Sequence, residues 1–371
     1  MARTERDLSA ILGEFDAQKP LELATALPAS WYVSPLVAER ELETVFHSSW
    51  QAIVTASSLS NRGEFATAEM GQLPVVVSRD EKETLHAFAN VCRHRAALVA
   101  CGTGNAERFT CPYHGWQYGL DGRLLSAPEL GAVCDFDRHS QGLTRIGIEQ
   151  IGTLLFACPS PDSPPPSVRW AELWKRLDAS NWSSLKLAKV VRYQLNCNWK
   201  VFVDNYLDGG YHVCAVHPGL AGQLDLDSYK TEVFDDYSIQ SCGGASGRIG
   251  SEAIYAFLYP NFMINRYGDA MDVNLVLPRG PGACEVVFAF YFTPEILADS
   301  QRVEAAIASS DQVQQEDIEI CESVQKGLAS GGYIPGRYSV LRQAGERAFH
   351  VRFARDLARE MKVELAGKFA G

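Results

Sequence analysis

Residues 92–116 read CRHRAALVACGTGNAERFTCPYHGW, and this stretch decides how the N-terminal part of the chain is read. It holds Cys92-Arg-His94 and, after 16 intervening residues, Cys111-Pro-Tyr-His114. Two thiols and two imidazoles are a sufficient ligand set for a structural zinc ion. Zinc sites, however, mostly pair like ligands within a short segment, whereas each segment here contributes one Cys and one His. That arrangement suits a binuclear iron–sulfur cluster with both cysteines on one iron and both histidines on the other. Neutral imidazoles in place of thiolates raise the reduction potential, so such a cluster can accept electrons and pass them on. Gly102, Gly104 and Gly115 suit loops whose backbone amides approach inorganic sulfurs.

Outward from this stretch, the short apolar runs Gln51–Thr55, Leu73–Ser78 and Leu85–Val91 alternate with Gly, Asp and Asn turns, a small all-β pattern. The segment Pro159–Ser167, PSPDSPPPS, reads as an extended linker or stiff loop. It divides the chain into a lead-in (1–44), a β domain (45–160) and a larger C-terminal domain (161–371). The 371 residues are comfortable for two domains, and 46% hydrophobic content suffices for two cores. After the linker, strand-like runs at Val190–Leu195, Ala253–Ile264, Asp272–Leu277 and Glu285–Phe292 are mixed with helical patterns, which makes the fold class α+β.

The second constellation is Asn198-Trp-Lys-Val-Phe-Val-Asp204-Asn205-Tyr206-Leu-Asp208-Gly-Gly-Tyr211-His212, with His217-Pro218 following. Trp199, Phe202, Val203 and Tyr206 share a helical face. Asp204, Asp208 and His212 stack on one side if the helix passes through Gly209-Gly210. His217 ligates the same ion as His212 only if the helix ends between them. Pro218 supports that ending, because it disfavours helical geometry at the residue before it.

A third signal comes from a helix over Ser300–Ala329. Val303, Ala306, Ile307, Val313, Ile320, Cys321, Val324 and Leu328 form its apolar stripe, and Asp317 falls in the middle of it. Its acidic neighbours Asp311, Glu316, Glu319 and Glu322 point away from the stripe's centre. An acid on an apolar face must be neutral, paired with a buried cation or bound to a metal. Taken with the two histidines, Asp317 completes a two-His, one-carboxylate set of the kind that binds non-haem Fe(II) and leaves positions open for O2.

The formal charge of −11 argues against a nucleic-acid partner and mildly favours cationic small molecules. No apolar run reaches the roughly 18 to 20 residues of a membrane span, and the N-terminal residues lack an apolar signal core. A cytoplasmic location without membrane association is the resulting expectation. The ten cysteines are then thiols or metal ligands.

Taken together, these motifs resemble the Rieske non-haem iron oxygenase α-subunit family, and within it the choline monooxygenases. The resemblance rests on RHRAALVACG (93–102), CPYHGWQYGLDG (111–122), NWKVFVDNYLDGGYHV (198–213) and YAFLYPNFMINRYGDAMDVNLVLP (255–278). It implies an N-terminal all-β Rieske [2Fe–2S] domain followed by a helix-grip catalytic domain, an antiparallel sheet with helices. It implies a cluster on Cys92, His94, Cys111 and His114, and a mononuclear Fe(II) on His212, His217 and Asp317. Electrons would come from NAD(P)H through a separate reductase or ferredoxin, and the assembly would be a homo-oligomer, typically a trimer. Many relatives carry an acid three residues before the first iron histidine, bridging it to a neighbouring subunit's cluster. That position is Gly209 here, so Asp208 is the natural bridge and Asp204 the fallback. Asn205 completes the catalytic candidates.

The resemblance further implies oxidation of choline to betaine aldehyde hydrate with O2. The alternative is oxidative N- or O-demethylation, or hydroxylation of a betaine, carnitine or aromatic compound. An electron carrier without turnover leaves about 200 residues and the His/His/Asp set unexplained. A quaternary ammonium is held by aromatic faces, and the candidates are Tyr206, Tyr211, Tyr259, Phe262 and Phe290. Tyr255, Phe257, Tyr267, Phe288 and Tyr291 belong to the same aromatic-rich half, most of which reads as strand core.

Overall fold

The computed structural model describes residues 2–53, 59–160, 163–244, 252–359 and 361. They separate into two compact units, one of Phe46–Ala171 and one of Met1–Val45 with Glu172–Gly371.

The Phe46–Ala171 unit is all-β. A seven-stranded sheet runs in the order Gln51–Ala52, Leu154–Cys158, Arg145–Ile151, Leu85–Ala89, Leu73–Arg79, Glu64–Met70 and Thr103–Asn105. A second sheet joins Arg108–Thr110, Gln117–Gly119 and Leu124–Ser126. The continuous apolar run Leu73–Ser78 is explained by burial on both faces. Val75 and Val77 pack with Ala66 and Met70, while Val76 packs on the other side with Phe88, Cys92 and Cys111. Thr55, the end of one expected run, lies outside the described residues.

The expected linker is partly built into this unit. Pro166–Arg169 is a short helix, and Ser167 donates from its backbone N–H (2.9 Å) and Oγ (2.6 Å) to Glu149. Pro-rich composition disfavours regular pairing but leaves a Pro-initiated helical turn available. Residues 161 and 162 of this stretch lie outside the described residues.

The second unit is built on a seven-stranded antiparallel sheet. Its order is Lys186–Leu195, Cys284–Phe292, Ala270–Pro278, Phe262–Tyr267, Glu252–Leu258, Tyr237–Gly244 and Leu224–Val233. All nine residues of Cys284–Phe292 are buried, as befits an inner strand covered on both faces. The expected single run Ala253–Ile264 is two strands, because the chain turns between Leu258 and Phe262. Leu224–Val233 and Tyr237–Gly244 were not legible as strands, being polar and rich in exposed positions or glycine.

The lead-in belongs to this unit. Glu41 accepts from Lys200 Nζ and Trp199 Nε1, both at 2.7 Å and all buried. Arg347 caps the carbonyls of Asp16, Ala17 and Lys19 at 2.8–3.0 Å. The helix Ser300–Ala329 stands as expected, capped by Asp299. Its stripe differs in part: Ile320 and Val324 are exposed, whereas Ser310, Gln314 and Gln325 are buried.

Candidate metal centres

In the β unit, Cys92 and Cys111 each open a tight turn. The N–H of Ala96 returns to Cys92 O and that of Gly115 to Cys111 O, both at 3.0 Å. Gly115 has φ +69°, which a side chain would strain. Asn90 clamps the first loop, its Oδ1 accepting from Val99 and Ala100 N–H while Nδ2 donates to Ala100 O. Both cysteines are buried, and both histidines are exposed on the same side, with ring centroids 4.5 Å apart. Trp116 stacks on His94 at 5.0 Å, and Tyr113 stacks on His114 at 3.8 Å. Desolvation, then the charges of His94 and Arg95, lowers the His114 pKa and favours the neutral, ligating imidazole.

The buried cysteines and exposed histidines give an inner thiol pair and an outer imidazole pair, which fit a two-iron cluster with one pair on each iron.

In the second unit, the helix Trp199–Leu207 is capped by Asn198, whose side chain accepts from Lys200 N–H. It ends at Asp208, before Gly209 (φ +69°) and Gly210 (φ +74°). A Cβ at Gly209 would sit 2.2 Å from Arg342 O, so only glycine serves. The continuous stacking of Asp204, Asp208 and His212 is therefore not formed. Asp208 instead folds over the turn and accepts from the N–H groups of Tyr211 (3.0 Å) and His212 (2.9 Å). A short helix, Val213–Val216, separates His212 from His217 and stops before Pro218, as expected.

These turns bring His212, His217 and Asp317 together, with one ligand atom from each inside a 4.8 Å sphere of mutual distances. Asp317 Oδ1 is 3.0 Å from His217 Nε2 and 3.8 Å from His212 Nε2, and accepts from Asn205 Nδ2 at 2.7 Å. On the far side of each ring stands another carboxylate. Asp208 Oδ2 is 2.7 Å from His212 Nδ1, and Glu316 Oε2 is 2.7 Å from His217 Nδ1. A carboxylate only accepts, so the outer carboxylates hold a proton on each Nδ1, which leaves Nε2 as the atom of each ring available to a metal ion. Burial lowers the His217 pKa, but Asp317 and then Glu316 outweigh it and the net shift is upward. Hydrogen bonds from Gln312 and His217 hold Glu316 below the usual carboxylate range. The donor set and its open inner face fit one divalent iron.

Glu316, expected to point away from the stripe's centre, reaches His217 with its side chain. Asp204 is elsewhere engaged, accepting from Tyr32 OH (2.6 Å) and pairing with buried His350 Nε2 (2.8 Å).

A cavity of about 140 Å³ meets this triad. Tyr206, Tyr255, Tyr267 and Phe288 line it, together with Tyr229, which the sequence reading missed. Four of the five named aromatic candidates do not. Tyr211 is 64% exposed beyond the Gly-Gly turn. Tyr259 packs on Phe349 and under Arg352. Phe262 alternates to the opposite face of its strand from Asn265. Phe290 shares the strand face of Phe288 and packs against it with tilted rings, 5.9 Å between centroids, but does not line the cavity.

The family model for the ring hydroxylating alpha subunit (catalytic domain) matches residues 183–251 and 244–359, and that for the Rieske [2Fe-2S] domain matches 49–137. The chain is 41% identical to chloroplastic choline monooxygenase of Arabidopsis thaliana, over 90% of this chain and 84% of that protein. It is 36% identical to the Beta vulgaris enzyme of the same name, over 94% and 81%. The chain belongs to the Rieske non-haem iron oxygenase α-subunit family. A solved quaternary ammonium Rieske monooxygenase, described for carnitine oxidation by gut microbiota and inter-subunit electron transfer, superposes with a TM-score of 0.83 at 28% identity, covering 92% of this chain and 98% of that one.

This Rieske monooxygenase therefore carries a [2Fe–2S] cluster and a mononuclear iron. The expectation of a cytoplasmic protein is corrected by the relatives, whose choline monooxygenases are chloroplastic. Bulk composition constrains membrane insertion but does not encode a compartment, so the sequence reading had no physical warrant for one. Among the described residues, no helix of the oxygenase is long and apolar enough to cross a membrane.

Proposed function

We propose that the chain oxidises choline at its alcohol carbon, yielding betaine aldehyde hydrate, with O2 and two electrons from NAD(P)H delivered through a separate reductase or ferredoxin. The observation that carries this reading is the small tyrosine-walled cavity on the His212, His217 and Asp317 set. Its 140 Å³ is close to the on-the-order-of 150 Å³ that takes a benzene-sized guest. Rings of Tyr206, Tyr229, Tyr255 and Tyr267 supply the faces a methylated ammonium needs. The relatives named choline monooxygenase support the same substrate.

In this reading Cys92, Cys111, His94 and His114 hold the cluster, and His212, His217 and Asp317 hold the iron. When bound, the two centres supply single electrons and O2 activation. Asp208 and Glu316 keep the imidazoles in the ligating tautomer, and Asn205 orients Asp317. The balance is substrate, O2, two electrons and two protons in, hydroxylated product and water out. We further propose a homotrimer in which Asp208 also contacts a cluster histidine of a neighbouring copy.

The test is a panel of choline, betaine, carnitine and aromatic methyl ethers, scored by coupled O2 uptake and product analysis with a competent reductase. Choline should be turned over to the aldehyde hydrate. Uptake with carnitine or betaine but not choline would replace choline by that substrate, carnitine being the one for which the solved neighbour is described, and release of formaldehyde would replace this reading with oxidative demethylation.

A further inference from the structure

The helix Ser300–Ala329 contributes Ser310, Gln314 and Asp317 to the lining of the cavity. Spaced four and three residues apart, they share one face of the helix. Side chains three apart on a helix are neighbours, with roughly 5–6 Å between their Cβ atoms. Gln314 thus stands one turn from the carboxylate of the metal set, and Ser310 a turn farther.

Five carboxamides line the cavity, and four of them are committed. Asn205 Nδ2 donates to Asp317 Oδ1 at 2.7 Å. Gln240 Nε2 donates to Tyr206 O at 3.0 Å, and its Oε1 accepts from Tyr229 OH at 3.1 Å. Asn265 Oδ1 accepts from Tyr206 OH at 2.9 Å, and its Nδ2 donates to Asn274 Oδ1, also at 2.9 Å. Gln314 differs. It is 2% exposed, and among the described residues its Nε2 meets no acceptor. A buried donor without an acceptor is costly in the free protein, and that cost is recovered when a ligand supplies the missing partner.

We propose that Gln314 binds the alcohol oxygen of the substrate and thereby determines which carbon is oxidised. The nitrogen of a quaternary ammonium carries four carbons and no hydrogen, so in choline the hydroxyl is the sole hydrogen-bonding group. The carbon that bears it must come to the His212, His217 and Asp317 set, beside which Gln314 stands. A carboxamide both donates and accepts, and half a turn about its last side-chain bond exchanges its two ends. It therefore suits an alcohol, donating to the oxygen or accepting the proton. With the hydroxyl held at this end, the methyl groups are kept from the reacting position. This proposal rests on the quaternary ammonium reading above and assigns the choice of carbon to one side chain.

The test compares choline with ethyltrimethylammonium, the same cation without the hydroxyl, by calorimetric binding to the holoenzyme. Wild type should prefer choline by on the order of tenfold. Gln314→Leu keeps the bulk and removes both hydrogen-bonding ends. It should lose that preference through weaker choline binding, with ethyltrimethylammonium little changed. Its turnover should shift from aldehyde hydrate toward formaldehyde, the product of N-methyl oxidation. Its melting temperature should not fall, because Gln314 Nε2 gives no hydrogen bond to the fold. If Gln314→Leu does not retain the visible absorption of the cluster, Gln314→Met takes its place. A hydroxyl preference that survives in the variant, or equal wild-type affinity for both ligands, would overturn the proposal. Should wild type oxidise carnitine and not choline, the choline reading would fall by itself. Carnitine and γ-butyrobetaine, which differ by one hydroxyl, would then replace the pair. Loss of their difference in Gln314→Leu would support the assignment, and its retention would overturn it.

Discussion

His217 Nδ1 lies 2.7 Å from Glu316 Oε2, so the residue beside Asp317 in sequence holds the outer side of the ring whose inner side Asp317 faces. One helical step on Ser300–Ala329 thus supplies both a candidate ligand and the support for another. Glu316→Gln keeps size but loses the acceptor charge that fixes the tautomer. We expect iron at the mononuclear site to bind about 10- to 100-fold more weakly, with the cluster absorption intact. His217→Ala should abolish that iron altogether. Iron and sulfide per chain after graded chelation decide it, and a Glu316→Gln protein with wild-type retention refutes the support role.

Asp208 and Asp204 are separated by what they touch. Asp208 is bound to His212, whereas Asp204 belongs with Tyr32 and buried His350. Losing the acceptor at His212 Nδ1 should weaken iron binding as at His217, so with the mononuclear site kept full by excess Fe(II), Asp208→Asn should slow reoxidation of the reduced cluster, in single turnover with substrate and O2, by on the order of tenfold or more. Asp204→Asn should leave that rate nearly unchanged and lower the melting temperature instead. The reverse pattern would move the bridge to Asp204.

Tyr118 OH lies 3.2 Å from Cys92 Sγ and accepts from Arg93 N–H at 3.1 Å, which leaves its proton directed at the sulfur. Burial, then its hydrogen bond to Cys92, raises the phenol pKa, so it remains a donor at any working pH. A hydrogen bond to a ligating sulfur stabilises the more negative, reduced cluster. Tyr118→Phe should therefore lower the reduction potential while all four ligands stay in place. An unchanged potential in a spectroscopic redox titration would show that the phenol is only packing.

The Glu41–Lys200 pair is buried at both ends, with Lys200 Nζ 2.7 Å from Glu41 Oε2. Desolvation pushes Glu41 up and Lys200 down, and the mutual charge offsets this in each. Removing one partner strands the other, so Lys200→Met should cost about 3–5 kcal/mol in chemical denaturation. The double change Glu41→Leu with Lys200→Met should recover most of that loss. Equal damage from single and double variants would mean that the lead-in is held by packing rather than by this pair.

Local chemistry was readable from the chain. Cys92-x-His94 and Cys111-x2-His114 carry their own spacing, and Pro218 ends the helix between His212 and His217 whatever surrounds it. Asp317 stood out because an acid on an apolar stripe conflicts with its period. These signals are short-range in sequence, so backbone geometry transmits them directly. The tertiary structure decided everything that depends on register and reach. Gly209 turns Asp208 back onto His212 because Arg342 O leaves no room for a side chain. Glu316 became a histidine partner through the length of its side chain. Tyr229 and Asp272 joined the cavity, while Tyr211, Tyr259, Phe262 and Phe290 stayed out, because a strand residue's face is set by pairing with its neighbours. The lead-in joined the second unit through contacts far apart in sequence, among them a buried ion pair spanning 159 positions, a distance over which no sequence pattern speaks.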